Sequence, residues 1–270
     1  MSTYVIGDLH GALPQFQKML TKIRFAPENG DELYLLGDYI DWGAYPLETL
    51  LFVMHLDRSS DRVHCLKGNH EEMFQAMMEI SGKGLDDNPI AVNWLVNNRG
   101  AGTWKEFSKL DRLRQWEIRK WVTDLPLSFD VRDGDKHYML AHAYPYYYDM
   151  EYSPLEARLR RKDAVWRRLL LREDPFAEYK GAQKYHCLLC GHTITDYFFT
   201  RMKAEKNWPF RKPRQTKRNK IFHGEKFVDL DCGAKLLSCG DDPDPGIRAA
   251  AGRAQLACIR LEDAEEFYVR

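Results

Sequence analysis

The sequence has no apolar run of membrane-spanning length. Stretches such as Tyr34–Leu36 and Cys187–Cys190 are strand-sized, whereas a spanning helix needs about 20 residues. There is no excess of either charge: Lys plus Arg and Asp plus Glu each total 40, so the whole-chain field favours neither nucleic acid nor a membrane surface. Cysteine is sparse. The six, at 65, 187, 190, 232, 239 and 258, mostly stand in apolar, strand-like surroundings where Cys acts as a small hydrophobe. Cys187 and Cys190 form a C-x-x-C, but no second pair follows at zinc-ribbon spacing, so a structural role is expected for them. Internal repeats and low-complexity linkers are also missing, and a single domain over 1–270 is expected. Met1–Asp8 enters a strand and a polar motif at once. This is read as leaving no room for a signal peptide, and with the cysteine usage it makes the cytoplasm the expected compartment.

What the chain does have is a recurring unit. Short apolar runs end in Gly or a polar residue: Thr3–Ile6 before Gly7-Asp8, Glu32–Leu36 before Gly37-Asp38, and Arg62–Leu66 near Gly68-Asn69-His70. Tyr138–Ala141 ends in His142 and His186–Cys190 in Gly191-His192. Such runs are strand candidates. Between them lie helical patterns, with Leu13, Phe16, Leu20 and Ile23 on one face after Pro14, and others over Pro46–Leu56 and Glu71–Ile80. The alternation predicts an α/β fold. The region around 88–125, with Trp94, Trp104, Phe107, Leu110, Leu113, Trp116 and Trp121, reads as a helical cap burying aromatics. Strand-like patterns return over Lys220–Asp231 and Ala254–Val269, suggesting a second sheet and a sandwich. Ligands of open α/β sheets sit beyond the carboxyl ends of strands, and that is where the polar residues gather.

Asp8 and His10, one residue apart at a strand end, can present a carboxylate oxygen and an imidazole nitrogen to one ion. Asp38 offers a carboxylate able to bridge two cations. Asn69 adds a neutral carbonyl, and the adjacent His70 can stay free to move protons. His142 and His192 complete the set. Any one of these histidines alone reads best as a satisfied core or surface residue; together at five strand ends they do not. A mixed N/O set without thiolate suits two divalent cations, Mn²⁺ above all, with Fe or Zn²⁺ as alternatives. Two such ions about 3.5–4 Å apart can activate water and clamp phosphoryl oxygens.

The order GD-x-HG, GD-x-x-D-x-G, GNHE, a strand-end His and GHT resembles the phosphoprotein phosphatase branch of the calcineurin-like metallophosphoesterases. That branch includes protein Ser/Thr phosphatases and symmetrical diadenosine tetraphosphate hydrolases. Asp231-Cys232-Gly233-Ala234 extends the resemblance along the chain. It implies a metallophosphoesterase-type β-sandwich flanked by helices. It also implies a first metal held by Asp8, His10 and Asp38, and a second held by Asp38, Asn69, His142 and His192. His70 would be the general acid, oriented by Asp41, and the nucleophile a hydroxide between the metals, without a covalent intermediate.

Two positions depart from the family pattern. Its D-R-G becomes Asp41-Trp42-Gly43, and the Arg two before Asn69 becomes Lys67. Arg grips phosphate bidentately, Lys acts as a point charge, and Trp carries none. Trp42 either offers a stacking face for a base or packs its loop. Arg168, in Trp166-Arg167-Arg168, resembles a W-x-R phosphate contact; Arg99 is either a further contact or a surface residue. Nine Lys or Arg between 201 and 220, against Glu205, form a solvated loop or a cationic rim for polyanions, and Arg158–Arg172 carries the same ambiguity. Aromatics interleaved with the run are limited to Trp208 and Phe210, which argues against nucleic-acid binding. The leading expectation is a hydrolase of phosphomonoesters, including protein phosphoserine or phosphothreonine. The alternatives are a hydrolase of dinucleoside polyphosphates or other nucleotides, and a non-catalytic binding module. The sequence leaves the oligomeric state open.

Overall fold

The structure, a computed structural model, describes residues 1–80, 85–179, 181–204 and 217–270. Strands β1 (Thr3–Ile6), β2 (Glu32–Leu35) and β3 (Val63–Cys65) lie parallel, with Val5 opposite Tyr34 and Tyr34 opposite His64. A second sheet holds β4 (Ser128–Asp133), β5 (Lys136–Ala141), β6 (Cys187–Cys190), β7 (Phe222–His223) and β8 (Phe227–Asp229), in the order β4-β5-β6-β8-β7. The chain then returns to the first sheet with β9 (Leu256–Arg260) and β10 (Glu266–Val269), giving β10-β9-β1-β2-β3. The Lys220–Asp231 pattern thus belongs to the second sheet, but Ala254–Val269 does not: β9 pairs antiparallel with β1.

Side-chain alternation explains the layering, because successive residues of a strand point to opposite faces. Val5, Tyr138, Leu140, Cys187 and Leu189 meet between the sheets. Tyr4 and Ile6 face the opposite way, into a core with α1 (Leu13–Ile23), α2 (Pro46–Ser59) and α3 (Asn69–Met78). Met139, Ala141, Leu188 and Cys190 form a third apolar layer with Phe198. Cys187 and Cys190 therefore occupy opposite faces of one strand, both buried as free thiols.

The cap consists of α4 (Pro89–Asn97), α5 (Gly100–Phe107) and α6 (Arg112–Asp124). Asn88 and Asp111 start two of these helices by accepting the Ala91 and Arg114 N–H groups at 3.2 and 2.9 Å. Trp94, Phe107 and Trp121 are buried against α2 and α3, but Leu113 and Trp116 are 65% and 58% exposed. The second half of the chain adds α7 (Pro154–Trp166), opened by a Ser153–Glu156 capping box, α8 (Asp196–Ala204) and α9 (Pro245–Arg253). Among the described residues no helix is long and apolar enough to cross a membrane. Most of the 201–220 basic run, residues 205–216, lies outside the described residues.

Candidate metal centre

The loops after β1, β2, β3, β5 and β6 turn back over the strand ends, and those after β1, β2 and β6 do so with left-handed backbone. His10, Asp38, Asp41, Trp42 and His192 all have φ between 45° and 68°, a region that disfavours side chains and clusters at functional sites. Asp8, His10, Asp38, Asn69, His70, His142 and His192 are thereby brought into one buried cluster.

Asp38 stands at its middle. Its Oδ2 lies 3.4 Å from His10 Nε2, 3.6 Å from His142 Nε2 and 4.0 Å from His70 Nε2, while Oδ1 accepts the His70 backbone N–H at 2.9 Å. Asn69 Oδ1 sits 3.1 Å from His142 Nε2 and 2.9 Å from His192 Nδ1. Asp8 Oδ2 is 3.7 Å from His10 Nε2, and its carboxylate accepts the His192 N–H. The outer ring nitrogens are tied down: His10 Nδ1 to the Ile40 carbonyl, His142 Nδ1 to Leu36 and His192 Nε2 to Trp166, at 3.1, 2.8 and 3.1 Å. Such bonds fix the tautomer and aim the free nitrogen inward. Glu71 braces the floor by accepting the Asp38, Tyr39 and Gly68 N–H groups.

Two glycines make room. A Cβ on Gly68 would lie 2.1 Å from Asp38 Oδ1, and one on Gly191 would lie 2.1 Å from Asp8 Oδ1. The carboxylates are pressed against bare backbone at both places.

This donor set fits divalent cations. Within compact groups of ligand atoms, Asp38 is shared by His10 and His70 on one side and by His142 and His192 on the other. His70 thus joins the first compact group, where the resemblance put Asp8, whose carboxylate accepts the His192 N–H. Burial pushes the Asp8 and Asp38 carboxyls well up and the His10, His70 and His192 imidazoles well down. Unprotonated imidazole is the ligating form, and nearby cations favour the ionised carboxylates.

Beside the cluster, His70 Nδ1 donates to Asp41 Oδ2 at 2.5 Å. Asp41 also accepts Trp94 Nε1–H at 2.6 Å and the Thr103 hydroxyl at 2.5 Å. Burial pushes Asp41 up to about 7, against the pull of those two bonds. Trp94 and Thr103 were not apparent from the sequence, since 53 and 62 residues separate them from Asp41.

The remaining candidates are divided. Arg168 donates to the His192 carbonyl and the Thr193 hydroxyl at 3.2 and 3.1 Å, at the cluster's edge. Lys67 instead directs its ammonium to Gln75 Oε1 and the Thr123 carbonyl, bracing α3 against α6. Arg99 is ion-paired with Asp242 at 3.0 Å and lies 4.5 Å from the Trp42 ring centre. Trp42 packs against the Leu236–Ala254 apolar cluster and carries a second cation, Lys235, at 5.3 Å. Of the two readings of Trp42, these contacts favour the one in which it packs its loop, although the ring stays half-buried. In the Arg158–Arg172 stretch, Arg160 and Arg167 pair with Glu178 and Glu173.

A symmetrical bis(5'-nucleosyl)-tetraphosphatase of Haemophilus ducreyi is 31% identical over 144 residues, 53% of this chain and 45% of that protein. The matched segment spans less than half the length of the curated relatives. Two solved structures share the fold at low identity. One is a protein with a proposed diadenosine tetraphosphatase activity (TM-score 0.53, 13% identity, 99% of this chain and 92% of that one). The other is a protein serine/threonine phosphatase from Saccharomyces cerevisiae (TM-score 0.54, 12% identity, 97% and 72%). Residues 1–196 match the family described as calcineurin-like phosphoesterase, a span that takes in every strand end from Asp8 to His192, and the chain belongs to that family.

Proposed function

We propose that this metallophosphoesterase hydrolyses dinucleoside polyphosphates, with Asp8, His10, Asp38, Asn69, His142 and His192 as ligands of two divalent cations. The observation that carries the chemistry is Asp38 Oδ2, shared between two groups of nitrogen donors beside a buried His70–Asp41 pair. When bound, the two cations would supply an acidified water and neutralise phosphoryl charge; Mn²⁺ suits the donor set. The chain's own residues handle the leaving group. His70 keeps Nδ1–H on Asp41, so Nε2 is the atom that protonates the departing oxygen. Burial, with Lys235 and His142, holds His70 below the usual histidine range, and the negative charge of a bound phosphate works in the opposite direction. Trp94 and Thr103 keep Asp41 from rotating away.

The nucleotide reading is preferred over phosphomonoesters because the sequence relatives are named tetraphosphatases, whereas likeness to a protein phosphatase at 12% identity is a likeness of fold. The test is turnover by chelator-stripped protein with and without added Mn²⁺, on a dinucleoside tetraphosphate, a phosphopeptide and an aryl phosphomonoester. Mn²⁺-dependent turnover with the highest kcat/KM on the tetraphosphate is expected. A large preference for the phosphopeptide would restore the protein-phosphatase reading. Absence of turnover on all three, with metal bound, would leave a binding module.

A further inference from the structure

Lys235 follows the Asp231–Gly233 turn, inside the short 3-10 helix Ala234–Leu236. Its ammonium lies 5.3 Å from the centre of the Trp42 ring, and the Arg99 guanidinium lies 4.5 Å from the same centre. One indole thus holds two cations, an arrangement favoured by the negative face of the ring.

The two cations differ in what neutralises them. Arg99 is 43% exposed and bonded to the Asp242 carboxylate. The Lys235 ammonium makes no ion pair and no hydrogen bond among the described residues. Trp42, the residue it rests on, directly follows Asp41, to which His70 is bonded. Arg99, on the same ring, opens the helix whose Thr103 also bonds Asp41, so Lys235 stands on the His70 side of the site.

That end is where the leaving group departs in the reading above, on which this inference rests. The chemistry there separates two substrate classes. An alcohol leaving group is neutral once protonated and gains little from an ammonium. A nucleoside phosphate leaves as an anion, and an unpaired ammonium held in place binds it with a charge-assisted hydrogen bond.

We propose that Lys235, parked over Trp42 with Arg99 beside it, is a substrate ligand for the leaving phosphate of a polyphosphate chain, and that it selects phosphoanhydrides over esters of alcohols. In the hydrolysis, the water oxygen bonds to the attacked phosphorus. The bridging P–O bond breaks with its electron pair on the leaving phosphate, whose oxygen takes the His70 proton; a proton of the water replaces it. Lys235 faces the charge that remains on the leaving phosphate.

Lys235→Gln keeps much of the side-chain length and removes the charge. The expected result is a fall in kcat/KM of about 10-fold or more on a dinucleoside tetraphosphate, with a several-fold smaller fall on an aryl phosphomonoester. Lys235→Arg should recover most of the loss, and manganese content by atomic absorption should match the parent protein. Titration calorimetry of ADP into the manganese-loaded protein supplies a readout without turnover, where Lys235→Gln should weaken binding about 10-fold. Equal losses on both substrates, retained ADP affinity, or loss of manganese would overturn the proposal. Should the parent protein hydrolyse neither substrate, the functional reading fails, and the ADP titration still decides whether Lys235 takes a phosphate.

Discussion

Asp38 divides its two oxygens, Oδ1 accepting the His70 N–H and Oδ2 facing three imidazoles. His70 is thus positioned twice, by Asp38 through its backbone and by Asp41 through its ring. The role proposed for its Nε2 predicts that His70→Asn lowers kcat by about 10²-fold or more while metal content, read by atomic absorption, stays at the parent level. Unchanged turnover would remove His70 from proton transfer. At this scale the sequence was informative wherever a polar residue followed a short apolar run and a glycine, because strand ends converge whatever the rest of the fold does. It was uninformative about the direction of long side chains. Lys67 and Lys235 both stand beside family motifs, yet one turns to Gln75 and Thr123 while the other rests on Trp42.

Among elements, the cap contributes to the site as well as to the core. Helices α4 and α5 supply Trp94 and Thr103 to Asp41, a contact that periodicity could not reveal, since Trp94 also reads as an ordinary core aromatic. Periodicity likewise could not say that β9 and β10 join the first sheet, because alternation specifies a face and not a partner. The β4–β5 pair shows a separate electrostatic arrangement. Burial raises Asp130, but hydrogen bonds from His137 and Tyr185 and the charges of His137 and Lys184 outweigh it, so its carboxyl lies below the usual value. A depressed carboxyl stabilises the fold above its unfolded pKa of about 3.9, and that contribution disappears as pH falls through the lower folded value. Urea midpoints of the parent protein and Asp130→Asn should therefore differ at pH 6 and converge as pH drops below about 4, with a modest gap because the side chain is partly in solvent. A gap that widens on acidification would contradict this account.

At the scale of the whole molecule, the candidate ligands come from both sheets, so the cluster exists only while the sheets are docked. A cation binding there binds the folded state alone, and binding at 100 times Kd adds about 2.7 kcal/mol of stability. For a chain of this size that is about 5–10 °C in Tm. Chelation should lower Tm by this order, with recovery that depends on Mn²⁺ concentration; a Tm indifferent to both would count against a folded-state metal site. The sandwich itself was legible from alternating apolar runs, while its closure was not, because β1 finds its antiparallel neighbour at the far end of the sequence, Tyr4 opposite Arg260. That pairing bears on how the protein is made. At about 5–20 residues per second, the ribosome releases the Thr3–Ile6 strand on the order of ten seconds or more before the β9 strand that covers its edge. A nascent chain must carry this mostly apolar edge, all four residues buried in the finished molecule, through that interval, exposed to aggregation or sheltered by a chaperone.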